Sequence, residues 1–328
     1  MEQPAPGSTD HSRTRDAPTI TPYPECDDSI LGRTGGTPIV EYDGHRPGRT
    51  YCKLEYENPT GSMKDRVALG MISKMRADGE IDGEGPVIEA SSGNTGGAVA
   101  LVCARLGLDC QITFPAGTSG QKSGYMEAYG ATTTACPDVA SDHEDYYARE
   151  AQRIADETGG TFLNQYENEL NPQVHYEWTG EEVVQQLDGD LTHIVSPMGT
   201  GGTLSGIARR VKEEYPEVQV VGVDGEKSNI WTAFHGEDPV EYDVAVEGLG
   251  KAERLPTMWF DSIDDVRTVA DEAAFERARS EARNGFLIGP SSAAALEIAD
   301  DYSDDPESVV LTMVCDNGDQ YFDVINGD

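Results

Sequence analysis

Strand-length apolar runs alternate with amphipathic helical runs along most of this chain, and that alternation restricts the fold more than any other feature. Pro86-Val87-Ile88-Glu89-Ala90 reads as a short strand and is followed by a helical run over 98–106. A strand over 109–114 precedes a helix over 120–129, and the extended Ala131-Thr132-Thr133-Thr134 precedes a helix over 143–158. After residue 170 the pattern resumes: helix 178–187, strand 192–197, helix 205–214 and strand 218–223. An extended run at 262–269, helices over 271–284 and 291–301, and a last strand over 309–315 complete it. Upstream, 30–42 reads as a turn-bounded strand around Thr37-Pro38-Ile39-Val40, and 50–56 alternates like another; 226–256 has no clear period and reads as loops with a short helix. Strands separated by helices predict parallel sheets covered on both faces. The expected class is therefore α/β, as two α/β halves with a site between them.

Composition narrows the function classes. The 60 Asp and Glu against 24 Lys and Arg leave a net charge of −36. Such a surface repels nucleic acid, whose phosphates need basic partners, and repels anionic membranes. It suits molar salt, where the Debye length falls to about 3 Å and self-repulsion is screened, so a halophilic source is expected. No apolar run approaches membrane-spanning length. Residues 1–16 are polar and carry no signal-peptide core, which points to the cytoplasm, and residues 1–20 are expected to be a disordered tail. The cysteines (Cys26, Cys52, Cys103, Cys110, Cys136, Cys315) form no Cys-x-x-Cys pair and read as free thiols in a reducing compartment. The six histidines show no ligand spacing, so no metal site and no histidine-based catalysis are expected.

Chemistry is concentrated in the loops that precede helices. In Asn58-Pro59-Thr60-Gly61-Ser62-Met63-Lys64-Asp65-Arg66-Val67, turn residues run straight into an apolar helical pattern. Lys64 thus falls at a helix N-terminus, where the dipole and partial burial favour the neutral, nucleophilic amine. A neutral amine forms Schiff bases with carbonyls; a solvated surface lysine is the other reading. Ser91-Ser92-Gly93-Asn94-Thr95-Gly96-Gly97 joins a strand to a helix and offers backbone N–H groups and hydroxyls to a carboxylate, or simply caps the helix. Met198-Gly199-Thr200-Gly201-Gly202-Thr203 has the composition of a phosphate cradle, without Walker A or Rossmann spacing. Gly289-Pro290-Ser291-Ser292 opens another helix.

These segments resemble, in order, the motifs of the cysteine synthase family, the fold-type II (tryptophan-synthase-β-like) pyridoxal-phosphate enzymes that include O-acetylserine sulfhydrylase and cystathionine β-synthase. Asn-Pro-x-Gly-Ser-x-Lys-Asp-Arg matches the cofactor-lysine segment, and the likeness extends through Asn164-Gln165-Tyr166 with Asn171-Pro172 and His175, Val246-Glu247-Gly248-Leu249-Gly250, and Asp316-Asn317-Gly318-Asp319-Gln320-Tyr321. The resemblance implies that Lys64 carries pyridoxal 5'-phosphate and acts on the substrate α-proton. It implies that Asn94 meets the cofactor 3'-oxygen, that Gly199, Thr200, Gly201, Gly202 and Thr203 hold its phosphate, and that Ser291 meets its ring nitrogen. Ser91, Ser92, Thr95 and Gln165 would bind the substrate carboxylate, and Gly248 would line the site. The implied fold has a small mobile domain over 64–168 inserted into a large cofactor-binding domain over 21–63 and 169–328, and such enzymes pair as homodimers.

The implied reaction is β-replacement on a serine-type amino acid through an α-aminoacrylate. O-acetyl-L-serine and sulfide, giving L-cysteine and acetate, are the first expectation. The sequence departs from the family where Thr118 replaces a Met and Gln121 a Glu, and where Ser-Ser-Ala-Ala (291–294) replaces Ser-Ser-Gly-Ala. The alternatives therefore stay open: cystathionine formation, O-phosphoserine sulfhydrylation, 2,3-diaminopropionate synthesis, serine/threonine deamination, or a non-catalytic scaffold.

Overall fold

A computed structural model of the chain describes residues 20, 29–44, 46–141, 143–187 and 189–326. Its strands are β1 (Ile39–Tyr42), β2 (Arg49–Leu54), β3 (Val87–Ala90), β4 (Cys110–Pro115) and β5 (Thr132–Cys136). They continue with β6 (Thr161–Phe162), β7 (His193–Pro197), β8 (Gln219–Gly225), β9 (Asp265–Val269) and β10 (Val309–Val314). Among the described residues they form two sheets, one of six strands in the order β1-β2-β10-β7-β8-β9 and one of four in the order β5-β4-β3-β6. Within the first, only β1 pairs antiparallel, with β2; the second is parallel throughout.

Helix burial follows from these sheets. Every residue of β10 (Val-Val-Leu-Thr-Met-Val) is buried, as expected for a central parallel strand covered on both faces. The smaller sheet is flanked by α1 (Lys64–Ala77), α2 (Asn94–Leu106), α3 (Gly120–Ala128) and α4 (Tyr147–Thr158). Apolar residues of α1 and α2 share one core with β3 and β4, so α1 packs with the smaller sheet although its chain arrives from the larger one. The chain then passes through α5 (Leu170–Val174), a π-helical stretch (His175–Gly180) and α6 (Glu181–Gln186) to the helices of the larger sheet. These are α7 (Gly202–Glu214), α8 (Ile230–His235), α9 (Asp271–Arg283), α10 (Pro290–Tyr302) and the short α11 (Phe322–Asn326). Two apolar clusters cover opposite faces of that sheet.

The helical run expected over 178–187 begins earlier, at Leu170. Pro172 sits in this helix's first turn, where proline is tolerated because its missing N–H has no partner to lose. Of the disordered tail expected over 1–20, residues 1–19 lie outside the described residues, as does Cys26. Ile20, at the tail's edge, is buried; its N–H donates to Glu177 Oε2 (2.7 Å) and its carbonyl accepts from Trp178 Nε1 (3.0 Å). The other five cysteines are free thiols. Among the described residues no helix is long and apolar enough to cross a membrane.

Candidate active site

Open parallel sheets bind ligands beyond the carboxyl ends of their strands. Here the loops leaving β2, β3, β7 and β10 all run from carboxyl ends, and contacts tie them together. The loop after β2 carries Lys64. Its turn closes through Gly61 N–H donating to Asn58 O (2.8 Å), with Gly61 at a φ of 81° that only glycine adopts readily. Asp65 accepts from the Thr60 N–H (2.7 Å) and hydroxyl. Arg66 is fully buried; its guanidinium donates to Glu55 (Nε–Oε2 2.6 Å) and Glu182 (Nη1–Oε1 2.6 Å), and Lys53 reaches the same Glu182 at 3.0 Å. The residues around Lys64 therefore hold the loop rather than the chemistry.

Ser62 bridges Asp316, and Met63 N–H donates to Cys315 O (2.8 Å), which pins the lysine loop against the end of β10. Lys64 is the first residue of α1. Burial lowers its amine below the usual lysine range, against the pull of Cys315 and Asp316. The balance favours a neutral amine more than in a solvated lysine.

The loop after β3 is organised by Ser91, whose hydroxyl oxygen accepts from the N–H groups of Gly93 (3.2 Å) and Gly96 (3.1 Å). Asn94 opens α2 and donates to Asp316 Oδ2 (2.8 Å), and the Tyr321 hydroxyl donates to the same oxygen (2.6 Å). Asp316 Oδ1 is buried with no partner among the described residues. Burial raises this carboxyl to about 6, with the Tyr321 and Asn94 bonds opposing. Thr95 donates to Gln165 Oε1 (2.7 Å), and Gln165 Nε2 contacts Ala90 O (3.4 Å). Ser92 lines a neighbouring cleft instead.

The loop after β7 enters α7 through Gly201, which has a φ of 76°. A Cβ at Gly199 would collide with Gly248 O, and one at Gly202 with Asn171 Oδ1. Asn171 Nδ2 donates to Gln165 O (2.8 Å) and Thr200 Oγ1 (3.2 Å), and Thr257 donates to Thr200 O (2.6 Å). Thr203 Oγ1 meets His175 Nε2 (3.1 Å), whose Nδ1 meets Thr179 (2.9 Å). Burial holds His175 well below the usual histidine range, so it serves as a neutral hydrogen-bonding group. Ser291, buried in the first turn of α10, sits beside Gly248, and Gly289 N–H donates to Asp316 O (3.1 Å).

Two clefts open over this junction. One of about 350 Å³ is lined by Thr60, Gly61, Gly93, Asn94 and Asn317; one of about 470 Å³ by Ser92, Thr118, Glu247 and Tyr321. They share Ser119, Lys122 and Gln320. An ion pair between Lys122 of α3 and Glu247 spans the gap between the two sheets' loops.

A family profile described as "Pyridoxal-phosphate dependent enzyme" matches residues 30–316, nearly the whole described chain, from before the lysine loop to the start of the loop after β10. The chain belongs to this family. A Staphylococcus aureus (strain N315) cysteine synthase is 34% identical over 301 residues, covering 90% of this chain and 95% of that protein. Escherichia coli (strain K12) cysteine synthase B is 35% identical over 306 residues, covering 89% and 94%. The crystal structure of an O-ureido-L-serine synthase superposes with a TM-score of 0.85 at 28% identity, covering 92% of this chain and 95% of that one. The fold is thus that of the fold-type II pyridoxal-phosphate enzymes, and the chain is a pyridoxal-phosphate-dependent enzyme.

The residues present fit that cofactor. A lysine amine biased toward neutrality stands beside a helix N-terminus whose glycines leave no room for side chains and whose threonines and N–H groups suit a phosphate. Contacts join Asn94, Thr95, Gln165, Thr200, Gly202, Thr203, Gly248 and Ser291 around one junction, while Ser91 shapes its loop and Ser92 faces the second cleft. Sequence reasoning gave no role to Asp316, which fastens three of the loops, nor to Asn171 and Thr257, which brace the 199–203 loop. Lys251, next to the Gly248-Leu249-Gly250 segment, also went unnoticed; a charged residue flanking a glycine motif was the available signal.

Proposed function

We propose that the chain catalyses β-replacement on an O-substituted L-serine, with sulfide as the nucleophile and L-cysteine as the product. The observation that carries this reading is the position of Lys64: a partly desolvated amine at the start of α1, where the four strand-end loops meet. Under this reading Lys64 holds pyridoxal phosphate, the 199–203 loop takes its phosphate, Asn94 its ring oxygen and Ser291 its ring nitrogen. Bound there, the cofactor supplies an electron sink for the pair left when the substrate α-proton departs. The neutral Lys64 amine takes that proton as general base and returns it to Cα after the nucleophile has added. Thr95 and Gln165, with the N–H groups at the start of α2, bind the donor carboxylate. Closure of the 64–168 segment on that carboxylate would exclude water. The same proposal includes a homodimer working in the cytoplasm, which sedimentation of the purified protein checks first.

The test is the visible absorption band of the cofactor-loaded protein together with cysteine formation from O-acetyl-L-serine and sulfide. Lys64→Ala should lose both; turnover surviving that change sinks the assignment. A second reading has one observation of its own. Thr118, where the family often has Met, buries a hydroxyl oxygen with no partner among the described residues and lines the cleft beside Ser92 and Lys122. An unsatisfied polar atom in a cleft favours a polar acceptor, such as an amine or homocysteine, over sulfide. Competition between sulfide and these acceptors in the second half-reaction separates the two readings.

A further inference from the structure

Among the described residues, Lys251 is a cation at this junction whose charge the reading above leaves without a purpose. Its backbone is fixed at both ends: the N–H donates to Ser228 Oγ (2.9 Å), and the carbonyl accepts from the Asn229 N–H (2.8 Å) and the Ser228 hydroxyl (3.0 Å). Its ammonium lies 4.9 Å from the ring centroid of Tyr166, a contact that orients a cation without neutralising it. No carboxylate pairs with it among the described residues, in a chain where acidic residues outnumber basic ones 60 to 24. Burial, with a smaller contribution from the nearby Lys64, lowers its amine to about 8. A partly buried cation with no counter-ion is held less favourably than one paired with an anion, and a ligand can supply that charge.

The location selects the ligand. Tyr166 directly follows Gln165, which is bonded to Thr95 at the proposed carboxylate site. Gly250, just before Lys251, is tied by its N–H to Met198 O (2.8 Å), at the root of the 199–203 loop. Through Tyr166, Lys251 neighbours the residues assigned to the donor, within electrostatic reach of Lys64. We propose that Lys251 binds a negatively charged β-substituent, so that the preferred donor is an anionic ester of L-serine of the O-phospho-L-serine class rather than the neutral O-acetyl ester. This rests on the β-replacement reading and fixes its leaving group. In the overall reaction O-phospho-L-serine and hydrogen sulfide give L-cysteine and inorganic phosphate. The Cβ–O bond breaks with its electron pair on the phosphate oxygen, a Cβ–S bond forms, and the α-proton taken by Lys64 returns to Cα.

The experiment compares wild type, Lys251→Ala and Lys251→Arg as cofactor-loaded proteins. The first readout is the ratio of kcat/KM for O-phospho-L-serine over O-acetyl-L-serine. The second needs no turnover: the ratio of Kd for L-norvaline over L-2-amino-4-phosphonobutanoate, a pair differing in the anionic group and unable to eliminate, followed through the cofactor's absorption band. Both ratios should exceed one in wild type, fall about tenfold or more in Lys251→Ala, as a lost charge-assisted hydrogen bond requires, and recover in part in Lys251→Arg. Ratios unchanged by Lys251→Ala, with the band intact, overturn the assignment and leave the β-replacement reading standing. Weakened cofactor binding with unchanged ratios places Lys251 on the cofactor phosphate and overturns it equally. A wild-type protein with no cofactor band overturns the underlying reading instead.

Discussion

Glu89 offers a stability prediction with a definite sign. It lies in β3, fully buried, and neither carboxylate oxygen closes a hydrogen bond of normal geometry among the described residues, although backbone N–H groups lie near it. Burial pushes the carboxyl from 4.5 up to about 8, although the N–H groups of Ala90, Gln165 and Asn164 draw it the other way. Below about pH 8 the folded chain keeps the proton, whereas the unfolded chain releases it above about 4.5. The folded state then binds more protons, so stability falls as pH rises across that interval, by at most about 1.4 kcal/mol per pH unit. Over the roughly 3.5-unit interval the sum is about 5 kcal/mol, an upper figure because a partly opened site would admit water. Glu89→Gln keeps the shape and removes the titration. Urea unfolding of both cofactor-saturated proteins at about pH 5 and about pH 9 in molar KCl reads the difference. The wild type should lose about 3–5 kcal/mol more than the variant over that range. Asp65, Asp224 and Asp316, each raised to about 6 by burial, act in the same direction but are present in both proteins and cancel. Parallel pH curves for the two proteins would refute the argument, because they would mean that Glu89 is already ionised and solvated in the folded state.

Three further outcomes are expected. Arg66→Ala should cost about 3–5 kcal/mol in urea unfolding, since it strands the buried Glu55 without a paired cation and leaves Glu182 with Lys53 alone; a loss under about 1 kcal/mol would make the network dispensable. Gly202→Ala should raise the cofactor Kd about tenfold or more with little change in helix content by circular dichroism, because the new methyl group meets Asn171 Oδ1 in the cradle; unchanged cofactor affinity would separate that loop from the phosphate. Finally, the melting temperature should climb between about 0.1 and 2 M KCl as the net charge of −36 is screened, and a protein equally stable at low salt is not adapted to brine.

The α/β class was legible because strand-length apolar runs such as 309–315 and 218–223 are separated by helical patterns, and periodicity is a local signal. Strand order is not local. β10, the last strand in the chain, inserts between β2 and β7, and nothing in Val-Val-Leu-Thr-Met-Val states its neighbours. The same distinction runs through the site. Loops 58–66, 91–97 and 199–203 announce themselves because turn residues, glycines and hydroxyls sit just before helices. Asp316 fastens three loops through contacts to residues as remote in sequence as Asn94 and Ser62, so its part emerges only once β10 lies in the middle of the sheet.

The surplus of acid makes the buried cations informative. Arg66 and Lys53 are fully buried, and each is paired with a carboxylate, Arg66 with two. Lys64 and Lys251 are the contrasting pair: both are partly buried, within electrostatic reach of each other, and without an ion-pair partner among the described residues. Availability of carboxylates does not explain the difference, since 60 acidic side chains are present. Leaving an amine desolvated and unpaired lowers stability, and a fold that pairs its structural cations so thoroughly leaves two amines open where ligands would supply what they lack. On the proposals made above, Lys64 would meet a carbonyl carbon and Lys251, by the same physical argument, an anion.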